Sequence, residues 1–141
     1  MRSLAEIEKR IETDACDGPA AEAASEMLAL GEEVLERWIA GKGLAPTQAK
    51  VEGFPLLALH RQGATGEPSF NACRETCREL VYHYNLIILE PDHPDAAGRL
   101  RMMRMVVAHI CYFVGGKMQI ARLGEFCCSS RALRLDEDLP A

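Results

Sequence analysis

The sequence contains no apolar run approaching the ~18 residues that a membrane span requires. Its opening, MRSLAEIEKRIETD, is charged and has no apolar core of the kind a secretory leader needs. These two absences lead to the expectation of a cytoplasmic protein with no membrane segment. An excess of positive charge is also missing. The formal net charge is −5, which argues against a protein that coats nucleic acid. Period-two alternation, hairpin turn signals and internal repeats are absent, so no strand is expected. The compact catalytic signatures H-E-x-x-H, G-x-S-x-G, G-x-G-x-x-G and the P-loop are absent too. A di-iron bundle needs Glu-x-x-His on facing helices. The single match, Glu90-Pro-Asp-His93, straddles a turn.

What is present is a chain of 141 residues, 48% hydrophobic. That length is one domain by the usual measure and buries a core without disulfide or metal staples. Charge is uneven. Residues 1–40 carry ten acids against four bases, and residues 41–134 carry eight acids against twelve bases. Residues 1–134 are therefore taken as a single all-α domain and residues 135–141 as an acidic mobile tail.

The clearest amphipathic stretch runs from Pro68 to Pro91. On a helical wheel Phe70, Cys73, Cys77, Leu80, Val81, Tyr84, Ile87 and Ile88 share one arc. Arg74, Glu75, Arg78, Glu79, Tyr82 and His83 lie outside it. Pro68 suits a first turn and Pro91 ends the helix. Upstream, Ser3 and Glu6 spell a capping box for a short helix over about 3–14. A second helix, about 19–40, has Met27, Leu30, Gly31, Val34, Leu35, Trp38 and Ile39 as its stripe and glutamates on its wet face. Pro46 opens a weaker helix that Pro55 kinks or splits near Gly53. A last long helix covers about 95–122, with Met102, Met103, Val106, His109, Ile110, Phe113, Val114 and Ile120 on one arc. Ala108, Cys111 and Gly115 form a small-residue stripe, and Gly115-Gly116 is a point where the helix can break. The expected architecture is an all-α bundle of about four to five helices. An antiparallel hairpin of two long helices, 68–90 and 95–122, lies at its centre.

Six cysteines in a cytoplasmic chain are reduced thiols or metal ligands rather than structural disulfides. Cys73 and Cys77 stand one helical turn apart, and the hairpin brings Cys127 and Cys128 back toward them. The four together can hold a zinc or iron-type metal on thiolates, or cycle between thiol and disulfide. The C-x3-C spacing matches no zinc-ribbon or ferredoxin pattern, and packing of the cysteines as small core hydrophobes stands beside both readings. The basic candidates are His60 and Arg61 at a helix end and Arg99, Arg101 and Arg104 at the start of the last helix, as possible anion-binding residues. His109 is a core residue or a buried ligand, and His83 is a solvated neighbour of Glu79. No catalytic residue is assigned. The leading functional reading is a non-enzymatic protein acting by association, as a homodimer, through the Met-rich and small-residue faces of the last helix. The second is a thiol-based redox or metal-binding protein.

Overall fold

The computed structural model describes residues 2–13, 18–65 and 74–121. They form five helices: α1 (Leu4–Glu12), α2 (Ala20–Gly41), α3 (Pro55–Ala64), α4 (Arg74–Leu89) and α5 (Ala96–Ala121). Among the described residues there is no strand, only an isolated bridge between Val51 and Phe54. The all-α bundle is as expected. Phe70, Cys73, Cys127, Cys128 and the 135–141 tail lie outside the described residues.

α1 begins with the expected capping box. The Ser3 hydroxyl accepts from the Glu6 N–H and the Glu6 carboxylate accepts from the Ser3 N–H, each at 3.1 Å. These hydrogen bonds hold the Glu6 carboxyl below the usual carboxylate range. Ile7 and Ile11, one turn apart, are buried. Two forked ion pairs tie α1 to α2. Arg2 donates to both oxygens of Glu33 at 2.9 and 2.6 Å, and Arg10 to both oxygens of Glu26 at 2.6 and 2.7 Å. The fork geometry adds direction that a single contact lacks.

α2 packs against all four other helices. Its whole anticipated stripe, from Met27 to Ile39, is buried. At Gly31 the missing side chain has a structural use. A Cβ there would lie 2.9 Å from Leu80 of α4, 3.4 Å from Leu56 of α3 and 3.5 Å from Val107 of α5. Three helices thus close on one point of a fourth. Lower down, the buried Trp38 indole donates to the Gly63 carbonyl at 2.9 Å. Lys42 donates to the Thr65 carbonyl at 2.8 Å and lies 5.6 Å over the Trp38 ring. Positive charge at the carbonyl end of α3 is favourable there.

The chain before α3 departs from expectation. Pro46 opens no helix. Residues 44–50 are irregular, and the Gln62 side chain clips them by accepting from the Thr47 N–H and donating to the Ala45 carbonyl. Val51–Phe54 is then a tight turn with both central residues at positive φ, Glu52 at 54° and Gly53 at 85°. That is the mirror-image turn geometry that a helix cannot contain. Pro55 does not kink a helix but begins one, at its first position, where its missing N–H has no role.

α4 and α5 form the anticipated hairpin across a short connection. Arg99 reaches back to the Leu86 carbonyl at 3.4 Å, and the His93 ring accepts from the Asp95 N–H at 3.0 Å at the entry to α5. α5 runs unbroken through Gly115-Gly116. In α4, Cys77, Leu80, Val81 and Ile87 are buried and Tyr84 is half-buried, edge-on to Phe54 at 5.9 Å. Ile88 is exposed. α5 is rotated from the expected arc. Leu100, Met103, Val106, Val107, Ile110, Cys111, Val114 and Met118 face inward, while Met102, His109 and Ile120 face out. Apolar residues occur nearly all round this helix, so its pattern points weakly. Contacts with α1, α2 and α4 choose the buried side.

Two mutations test these arrangements. Gly31→Val is expected to cost about 1–3 kcal/mol by urea unfolding, because the added methyls overlap a packed core. Unchanged stability would show that the helices do not meet as described. Half-buried Glu32 has its pKa raised, first by burial and then by the Glu36 charge. A carboxyl whose folded pKa exceeds its unfolded value costs stability as pH rises through that window. Glu32→Gln should therefore raise the melting temperature at neutral pH, with the gain fading below about pH 4.

Candidate functional site

Two surface features stand out. The first is an open cleft of about 360 Å³ between α3, α4 and the Val51–Phe54 turn. Val51, Leu57 and Ala64 supply its apolar lining. His60, Arg61 and Thr65 border it from α3, and Arg74 and Arg78 from α4. His60, which the sequence places at a helix end, sits inside α3 and is 7% exposed. Arg78 is held by Glu52 at 2.8 Å. That hydrogen bond, with the Arg78 charge, keeps the Glu52 carboxyl below the usual range. Among the described residues no carboxylate lies within ion-pair distance of Arg61 or Arg74. The expected anion-binding set therefore divides. His60 and Arg61 border this cleft. Arg99 joins the end of α4, Arg101 is exposed on α5, and neither they nor Arg104 lines the cleft. Arg74 and Arg78 were legible only as the charged back of a helix. Their meeting with Arg61 depends on how α3 packs on α4.

The second feature is on α5. Met102, Met105, Tyr112 and Ile120 are 40%, 66%, 54% and 69% exposed. With exposed His109 and Gly116 they repeat at steps of three and four, one face of a helix. Nothing lies within 4 Å of the Cβ position at Gly116. Arg101 is at one end of this face. α1 runs alongside the middle of this face, where the Tyr112 hydroxyl donates to Glu12 at 3.2 Å. That hydrogen bond, then burial and nearby acid, raises the Tyr112 pKa.

The histidines and cysteines fall elsewhere than expected. His109 is neither core nor buried ligand; it is exposed and tilted against Phe113 at 6.4 Å. His83 is not solvated. Its side chain is 14% exposed, 3.8 Å from Glu79, and its Nδ1 is buried with no hydrogen-bond partner. Of the proposed four-thiol cluster only Cys77 is described, and it is fully buried. Cys111 is buried beneath α1. Burial and the charges of Glu8 and Glu12 push its thiol up to about 12. Among the described residues no group of three or more His, Cys, Asp or Glu side chains is placed to hold a metal ion. Among them, too, no helix is long and apolar enough to cross a membrane.

Compared with known proteins, the chain matches no family model, no curated protein sequence and no solved structure.

A buried thiol held neutral is a poor nucleophile. In native protein at about pH 8, a thiol reagent such as DTNB should leave Cys77 and Cys111 unmodified until urea is added. Peptide mass mapping checks this, and rapid native labelling of either would contradict their burial.

Proposed function

We propose that this protein acts without catalysis, by self-association, pairing the exposed face of α5 with the same face of a second copy. The observation that carries this reading is the unpartnered Met102–Ile120 face. Large contiguous apolar faces on a soluble helix mark contact surfaces more often than chance exposure. The cytoplasm suits such a protein, since it would keep the buried thiols reduced.

A second copy fits the face better than an unrelated partner, because the face complements itself. Its members centre between His109 and Tyr112. Antiparallel pairing about a twofold axis there sets Met105 of one copy against Gly116 of the other, a knob opposite a gap. Met supplies adaptable contact area at such a surface. The face is about 27 Å long at 1.5 Å per residue and roughly 10 Å wide. That is small for an interface, so a dimer of micromolar rather than nanomolar affinity is expected.

Sedimentation equilibrium across about 1–100 µM should show mass rising from the 15.6 kDa chain toward twice that value. Met105→Glu should leave a monomer with unchanged helix content. A monomer throughout the range would remove the proposal. A dimer indifferent to Met105→Glu would move the contact off this face.

A further inference from the structure

We propose that the cleft between α3 and α4 is a binding site for a small organic phosphomonoester. Three arginines, Arg61, Arg74 and Arg78, line it. Arg78 is paired with Glu52 at 2.8 Å, and the Glu75 charge also acts on it. The Glu52 charge also acts on Arg61, but among the described residues no carboxylate is within ion-pair distance of Arg61 or Arg74. Arginines around a concavity that lack direct ion pairs are stabilised by an anion, and planar guanidinium forks match the oxygens of a phosphate.

The construction of the site is an independent argument. Glu52 is the one non-glycine residue among those described with a positive φ, 54°. A backbone in that region costs free energy and persists where surrounding contacts hold it. Here the turn closes with two backbone hydrogen bonds between Val51 and Phe54, at 3.1 and 2.9 Å. It directs the Glu52 carboxylate onto Arg78 and so fixes that guanidinium at the cleft edge. On the opposite side, Trp38 and Lys42 pin the end of α3 that carries Arg61. The Thr65 hydroxyl is occupied in donating to the Gln62 carbonyl at 2.8 Å, so Thr65 shapes the site rather than donating to the ligand. Two walls are therefore held in place before any ligand arrives, which reduces the ordering cost of binding.

Size and lining select the class. A volume of about 360 Å³ is at the low end for small-molecule sites and larger than a bare ion needs. Leu57 and Val51 offer apolar surface for a carbon skeleton beside the charged edge. A dianionic phosphate answers two guanidiniums without a direct ion pair better than a single carboxylate does. A nucleic-acid backbone is disfavoured by the −5 net charge of the chain. The site is on α3 and α4, separate from the α5 face, and stands whether or not the chain dimerises.

Isothermal titration calorimetry on the full chain tests this with phenyl phosphate and inorganic phosphate as probes. Phenyl phosphate should bind saturably and at least tenfold more tightly than inorganic phosphate. Arg61→Gln and Arg74→Gln should each weaken it at least tenfold. Both residues are exposed, so circular dichroism and melting temperature should stay at the wild-type values. Lys9→Gln, on the exposed side of α1, should change nothing. Absence of saturable binding would overturn the proposal. So would equal affinity for the two probes, or equal loss in the Lys9 variant.

Discussion

The fold depends on the space left open at Gly31. α2 can serve as the common neighbour of four helices only if one place along it admits three of them closely. Leu80, Leu56 and Val107 converge there from α4, α3 and α5. A helix-interior glycine costs roughly 0.5–1 kcal/mol relative to alanine. Close packing of three buried side chains offsets that cost. The remaining anchors lie on either side of Gly31. Trp38 and Lys42 engage the end of α3, and Glu26 and Glu33 receive the arginines of α1. The strongly one-sided stripe of α2 thus does the joining, and the other helices are fitted to it.

From that frame follows the division of the surface. α5 is buried on the sides that meet α1, α2 and α4, and its fourth side remains apolar. α3 is ten residues long, starts at Pro55 and packs beside α4. The positive-φ turn ahead of Pro55 supplies that start. The same turn carries Glu52, so a constraint on chain direction also places a carboxylate on Arg78. The basic cleft is a product of how the chain enters α3, as much as of the arginines themselves.

The elements were legible in the sequence to different degrees, for physical reasons. Ser3 and Glu6 act within one turn, and their capping box formed as spelled. The α2 stripe is strongly one-sided and every residue named for it is buried. α5 misled because its apolar residues nearly encircle it; the neighbours decide which are buried, and periodicity cannot weigh neighbours. Pro46 reads as a helix start and Pro55 as a break inside that helix. The left-handed backbone of Glu52 and Gly53 between them makes Pro55 the start instead. His60 and Arg61 were visible as a basic pair beside a helix end. Arg74 and Arg78 belong with them through tertiary contact alone. His83 was misplaced because a wheel marks the edge of a face and does not say how far a neighbouring helix overhangs it.

α1 has a different standing from the rest. It is nine residues long, buries two isoleucines with Leu4 packed beside the core, and is otherwise held by ion pairs that water reaches and by one exposed hydrogen bond from Tyr112. Such pairs contribute little each and weaken with salt. The helix is thus the part of the bundle with the least to lose by lifting away while the others stay assembled. Cys111 lies beneath it, its thiol kept neutral in part by Glu8 and Glu12 of that helix. The accessibility of one buried sulfur is thereby coupled to the opening of one short helix. Rising ionic strength would shorten the time that sulfur remains hidden, long before the molecule as a whole unfolds.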